Sequence, residues 1–203
     1  MVYRKFFKRA IDVGASAGAL LVLALPLGII TLWLHFANKG AGAFFYQERP
    51  GKDGKIFKVV KFKSMTDERD EEGKLLPNKE RITKAGRFVR ATSIDELPQL
   101  WNVLKGDMSL IGPRPLLPRY LPWYTERERH RHDVRPGITG YAQSHGRNFV
   151  SWDERLEMDV KYVENITFAG DCKIVWRTLL NVFAKKDIEV VPTGRFLDEE
   201  RGS

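Results

Sequence analysis

The chain has 203 residues, with Lys+Arg 34 against Asp+Glu 26 and a formal net charge of +8. That length suits one modest domain with a real core, and the charge points to an anionic partner: nucleic acid, phospholipid headgroups or a phosphorylated substrate. One cysteine, Cys172, excludes an internal disulfide and suits a reducing compartment.

The mean hydropathy of -0.35 hides an apolar N-terminus. Val13 to Ala37 is an apolar run of 25 residues, long enough to span a bilayer and too long for an ordinary core helix. A signal peptide shares the basic start (Arg4, Lys5, Lys8, Arg9), and Ala41-Gly42-Ala43 resembles a cleavage site, but the run exceeds the usual apolar length of such peptides. Both flanks are basic, the second through Lys39, Arg49, Lys52 and Lys55. Positive charge stays cytoplasmic, so a segment that enters, bends and returns fits better than a straight span. Pro26, near the middle, lacks an N–H and breaks the helical ladder. The alternative is that Pro26 only kinks a spanning helix, which membranes tolerate. We expect a re-entrant membrane hairpin over 1–40, a cytoplasmic-face domain over 41–190 and a flexible tail over 191–203.

After the apolar run, "AFFYQERPGKDGKIFKVVKFKSM" reads as strand, turn, strand. In its second strand Phe57, Val59, Lys61 and Lys63 share one face. Lys61 and Lys63 form either a solvated face or part of an anion site. A charged loop follows around Gly73 and Pro77. "KAGRFVRATS" then reads as a short helix carrying Arg87 and Arg90 at i, i+3. "SWDERLEMDVKYVENI" predicts another helix. A last helix is expected after Gly170, with Val175, Leu179, Val182 and Phe183 as a packing stripe and Trp176 as a candidate for the membrane interface. The chain beyond Pro192 reads as frayed.

The chemistry centres on "TSIDELPQLWNVLKGDMSLIGPRPLLPRY", Thr92 to Tyr120. Ser93 to Glu96 matches a capping box, with Ser at the N-cap and Glu three residues on, although Pro98 blurs the helix start. The same carboxylates can also do chemistry. An ionised Asp is a competent nucleophile toward phosphorus. A neighbouring Glu can hold Mg²⁺, whose hard charge suits carboxylate and phosphate oxygens. Arg114, set between Pro113 and Pro115, presents a planar guanidinium to phosphate oxygens.

"KFKSM", "TSIDELPQLWNVLKGDMSLIGPRP", "HDVRPGITG" and "GRN", in that order behind one Pro-broken apolar segment, resemble the bacterial sugar transferase family, the small monotopic phosphoglycosyl transferases. The resemblance runs from Tyr3 to about Lys186. It implies a small α/β membrane-associated domain with an N-terminal re-entrant helix, a β-hairpin and amphipathic surface helices on the cytoplasmic face of the bacterial inner membrane. The implied catalytic domain passes a sugar 1-phosphate from a UDP-sugar to polyprenyl (undecaprenyl) phosphate, releasing UMP through a covalent phosphosugar-aspartate. This would be a first membrane step of glycoconjugate biosynthesis, feeding downstream glycosyltransferases. By motif matching the catalytic dyad is Asp95-Glu96, with Mg²⁺ on Glu96. Lys61, Arg90, Arg114 and Arg147 are implied phosphate or substrate contacts. The family's membrane break is often Ser-Pro, whereas here it is Leu25-Pro26.

Two other classes fit parts of the sequence. A nucleic-acid-binding protein fits the basic "RERHRHDVR" run, but no zinc finger, RNA-binding motif or DNA-reading element accompanies it. A non-catalytic basic membrane-surface protein would place Arg119, Arg127, Arg129 and Arg131 against headgroups and leave Asp95, Glu96 and Arg114 without a role. His130, His132 and His145 lack the fixed spacing of a zinc site.

Overall fold

The computed structural model describes residues 2–145, 150–184 and 196–202. A π-helical turn at Tyr3–Phe7 leads into α1, Lys8–Ala37, which carries Pro26 in its interior. The middle of α1 faces outward, with Leu25 75% exposed. Its two ends are fixed to the same body. At the first end, the Arg9 guanidinium donates to the carbonyls of Val103 (2.7 Å) and Leu104 (3.1 Å), and Asp12 accepts from the Leu110 N–H at 3.1 Å. Tyr3 and Lys8 both reach Asp171 at 2.7 Å. At the other end Leu34 is buried against Ala43, Phe62, Ala85 and Val89. Asn38 closes the helix by donating to the carbonyls of Gly42 and Lys63.

The expected hairpin is present. β1, Phe44–Pro50, pairs antiparallel with β2, Ile56–Phe62, with Phe44 opposite Phe62 and Pro50 opposite Ile56. Its turn at Lys52–Gly54 needs left-handed backbone at Asp53 and Gly54, which Asp and Gly tolerate best. The predicted faces hold, but the two lysines separate. Lys61 turns to the carboxylate pair, whereas Lys63 is taken up by Asp67 and the Ala41 carbonyl. Lys63 therefore joins no anion site.

After a short helix α2, Asn78–Arg81, comes α3, Lys84–Ala91, with Thr83 accepting from the Gly86 N–H as N-cap. α3 lies so close to the end of the hairpin that a Cβ on Gly86 would fall 1.9 Å from the Ser64 carbonyl oxygen. This close approach lets Arg90 Nε donate to Ser64 Oγ at 2.8 Å. α4, Gln99–Lys105, is held to the outer edge of β2 by buried Asn102, whose side chain accepts from the Val60 N–H and donates to the Lys58 carbonyl. A single amide thus satisfies backbone groups that a third strand would otherwise have to pair.

β3, Ser109–Ile111, runs parallel to β4, Gly137–Thr139. Between them lies α5, Glu126–Arg129, which begins with a Thr125–Glu128 capping box. α6, Tyr141–His145, follows β4. α7, Trp152–Glu164, opens on a Ser151–Glu154 capping box, as its sequence predicts.

α8 and the C-terminus depart from expectation. α8, Phe168–Phe183, starts before Gly170, because Thr167 caps it by accepting from the Gly170 N–H. Two members of its expected packing stripe are not packed, Val182 is half-buried, and the Phe183 side chain lies outside the described residues. Ile174 is buried, but Val175 and Leu179 are exposed, and Trp176 is 64% exposed. Among the described residues little covers this apolar face of α8, which suits a lipid interface. Residues 196–202 are not a frayed tail. α9, Leu197–Arg201, buries Leu197 with Leu116, Tyr120, Tyr124 and Leu156, and Arg201 pairs with Glu128 and Asp153.

Candidate active site

The turn that carries the carboxylates differs from the predicted cap. Ser93 has φ 57, in the left-handed region, and its side chain caps nothing; Ile94–Glu96 form a 3-10 turn, and α4 begins only after Pro98. The capping box is overturned because Glu96 has stronger partners than a backbone N–H. Glu96 Oε1 accepts from Lys61 Nζ at 2.6 Å and from Arg114 at 2.8 Å. Its other oxygen, Oε2, accepts no hydrogen bond from the described residues. The Asp95 carboxylate likewise accepts none from them.

Electrostatics separate the two neighbours. Burial, then the Glu96 charge, pushes the Asp95 carboxyl up to about 6, against the opposing pull of Lys61, Arg90 and Arg114. Burial also acts on Glu96, but Arg114 and Lys61 outweigh it and hold that carboxyl well below the usual range. Glu96 is thus a fixed anion that organises two cations. Asp95 is the uncommitted carboxylate, an arrangement that assigns different tasks to paired acids.

Arg114 is presented by a rigid support. The Gly112 N–H donates to the Thr139 carbonyl, and the Gly137 N–H donates to the Pro113 carbonyl. A Cβ on Gly137 would meet Gly112 N at 2.1 Å, so only glycine permits that approach. Behind the loop lies Arg131, 2% exposed. Its guanidinium donates to the Arg114 carbonyl at 2.7 Å and to Asp159 at 2.7 and 3.2 Å, and it reaches the Tyr124 hydroxyl at 3.3 Å. The alternative of a non-catalytic membrane-surface protein would place Arg131 against headgroups; instead it is a buried brace that fixes the Arg114 backbone.

Of the expected contacts, Lys61 and Arg114 meet on Glu96, and Arg90 lies within electrostatic reach of Asp95. Arg147 lies outside the described residues. The sequence reading missed Arg49 as a site residue. It lies on the same face of the hairpin as Lys61 and close to Arg114. Period-two alternation through Phe45, Gln47 and Arg49 was the signal available for it.

Among the described residues no group of three or more His, Cys, Asp or Glu side chains could hold a metal ion alone. His130 pairs with Asp133, and His132 bonds the Gly51 carbonyl. A Mg²⁺ ion needs only one or two carboxylates when substrate phosphates complete its shell. The open Oε2 of Glu96 and the free Asp95 carboxylate fit that requirement.

A carboxylate pair ringed by cations, on a body that grips both ends of an outward-facing apolar helix, is the site of a membrane-associated enzyme handling an anionic substrate. The chain belongs to the bacterial sugar transferase family, whose sequence pattern matches residues 3–185. It is 50% identical over 182 residues to the uncharacterized sugar transferase EpsL of Bacillus subtilis, covering 90% of each chain. It is 40% identical to the undecaprenyl-phosphate galactose phosphotransferase of Salmonella typhimurium, covering 86% of this chain and 40% of that one. It is 37% identical to the UDP-glucose:undecaprenyl-phosphate glucose-1-phosphate transferase of Escherichia coli, covering 90% of this chain and 41% of that one. The chain therefore spans about two fifths of the length of these last two relatives.

Proposed function

We propose that this protein transfers a sugar 1-phosphate from a UDP-sugar to polyprenyl (undecaprenyl) phosphate, giving polyprenyl-diphosphate-sugar and UMP. The observation that carries this reading is the division of labour within the dyad, where Glu96 is locked by Lys61 and Arg114 while Asp95 accepts no hydrogen bond from the described residues. The activities named for the relatives in Salmonella and Escherichia coli agree with it.

In this mechanism an Asp95 oxygen attacks the sugar-bearing phosphorus. The P–O bond to the uridylyl phosphate breaks, and its bridging oxygen leaves with the electron pair as part of UMP. An oxygen of the polyprenyl phosphate then attacks the same phosphorus, and the bond to Asp95 breaks to restore the carboxylate. The Arg114 guanidinium and the Lys61 ammonium stabilise negative charge as it shifts toward the leaving phosphate. Glu96 would hold Mg²⁺, which when bound would supply the charge neutralisation that lets an anionic nucleophile approach a diphosphate.

A cavity of about 510 Å³ gives the lipid acceptor a place. α1 contributes Leu20 and Leu27, the hairpin Val60 and Phe62, and α4 Trp101 and Lys105. Val60 and Phe62 lie on the hairpin face opposite Lys61, and Pro98, which follows the dyad turn, also lines the cavity, so an isoprenoid chain lying there would bring its phosphate to the dyad past Pro98. α1 stays helical through Pro26, so any return is a bend within one helix and not a break; with both ends attached to one body, we read 1–40 as a membrane element that enters and returns about Pro26, with the catalytic domain on the cytoplasmic face.

The test is a panel of UDP-sugars with Mg²⁺, with and without polyprenyl phosphate. With the lipid, one UDP-sugar should give steady UMP release and a polyprenyl-diphosphate-sugar. Without it, about one UMP per active enzyme should appear, matched by a phosphosugar mass on Asp95. UMP release that needs both substrates together would rule out the covalent step.

A further inference from the structure

Arg49 is a half-buried cation. It lies on β1, and its Nη2 donates to Gln47 Oε1 at 2.6 Å. Among the described residues it forms no ion pair. The strand register turns it to the same face as Lys61. The next residue, Pro50, lines a small void together with Pro113, Arg114 and Pro115, and the Gly51 carbonyl after it accepts from His132 Nδ1 at 3.2 Å. The end of β1 is therefore seated on the loop that presents Arg114. Burial, then repulsion from Arg114, pushes the Arg49 guanidinium down to about 10, so it stays charged at neutral pH. Two guanidiniums brought together with one carboxylate, itself shared with Lys61, leave a local excess of positive charge that a bound anion would relieve.

The position of this excess relative to the nucleophile narrows the anion. The charged neighbours of Asp95 are Glu96, Lys61, Arg90 and Arg114. Those of Arg49 include Arg114 and Glu96, with the Tyr120 and Tyr124 hydroxyls also near. Arg90 is held to Ser64, beyond one end of β2, whereas Arg49 is paired with Phe57 toward the other end of that strand, so Arg49 lies on the side away from Arg90 and its neighbour Asp95. In an in-line displacement the leaving oxygen lies opposite the attacking one. Building on the function proposed above, we infer that Arg49 binds the nucleoside monophosphate side of the substrate, holding the uridylyl phosphate from the face opposite Asp95 as it leaves. Its role differs from that of Arg114, which spans the reacting centre.

The test compares wild type, Arg49→Gln and Arg49→Lys as full-length protein in lipid nanodiscs with Mg²⁺, with UMP and uridine as calorimetric ligands. Arg49→Gln should weaken UMP binding at least about tenfold, or about 1.4 kcal/mol, and leave uridine binding and the KM for polyprenyl phosphate unchanged. Arg49→Lys keeps the charge and loses the planar fork, so its UMP affinity should lie between the two; it also serves as the test if Arg49→Gln fails to fold. UMP affinity within twofold of wild type in a folded variant, or an equal loss for uridine, overturns the assignment to the phosphate. Absence of UMP binding by the wild type, together with no turnover of any UDP-sugar, overturns the functional reading itself.

Discussion

Asp95 and Glu96 are adjacent in the chain, yet their surroundings drive their protonation in opposite directions, Asp95 upward and Glu96 downward. A raised Asp carboxyl binds its proton more tightly in the native state than in the unfolded chain. That contribution to stability is complete below the ordinary Asp range and is lost as pH rises through about 6. Reactivity runs the other way, because only the carboxylate attacks phosphorus. In metal-free protein, the side-chain carbon resonance of Asp95 should titrate with a midpoint near 6. Asp95→Asn should abolish both UMP release and the phosphosugar adduct while the protein remains folded. Full UMP release by this variant would remove Asp95 from the chemistry.

Arg114 is the second point of test. Lysine at this position retains charge but cannot offer two parallel N–H donors. We expect Arg114→Lys to lower kcat/KM for the UDP-sugar at least about tenfold, equivalent to about 1.4 kcal/mol of transition-state stabilisation. Unchanged kinetics would limit Arg114 to organising Glu96.

The Arg131–Asp159 brace makes a separable prediction. Arg131→Met strands a buried carboxylate and should destabilise the protein by about 3–5 kcal/mol. Adding Asp159→Leu removes the stranded charge and should recover most of that loss in thermal unfolding. Activity should not recover with it, because the Arg114 carbonyl still lacks its donor. In an Arg114→Ala background the same pair of substitutions should cause little further loss of kcat/KM. An additive loss would mean that the brace acts elsewhere.

His132 gives a pH dependence of the opposite sign to that of Asp95. Burial, then the Arg131 charge, pushes its ring down to about 4 from an ordinary value of 6.5. The unfolded chain takes up the proton first, so this contribution is present above about 6.5 and lost as pH falls toward about 4. The loss should be no more than about 3 kcal/mol. His132→Gln should flatten the wild-type decline in melting temperature over that interval, and the difference between the two curves isolates this group. Parallel curves would show that His132 titrates normally.

The topology of α1 is tested in intact cells. In a Cys172→Ser background, cysteines at Lys5 and Lys55 should both resist a membrane-impermeant thiol reagent. Labelling at position 5 alone would mean that α1 crosses the membrane. Pro26→Ala should favour that crossing and lower activity by moving the dyad relative to the lipid.

Periodicity and charge placed α1, the β-hairpin, α3 and α7 in the sequence, because each is set by local terms: apolar length, turn residues and caps. The motif order also brought out Asp95, Glu96, Lys61 and Arg114 as one site. The same local terms failed where long-range partners were stronger. Ser93 and Glu96 spell a capping box, but Lys61 and Arg114, brought from β2 and the Pro-Arg-Pro loop, take the glutamate and leave the turn in a 3-10 form. The stripe on α8 looks like core in sequence, since helical spacing records that a face is apolar and not what covers it. Leu197 belongs to a core whose other members are distant in the chain. Arg131 reads as one more surface cation in a basic run; only the folded chain brings it to Asp159 and the Arg114 carbonyl. Composition and local pattern determined which charges and apolar faces this protein carries. Tertiary structure decided their partners, because a contact between residues far apart in sequence leaves no periodic trace in either segment.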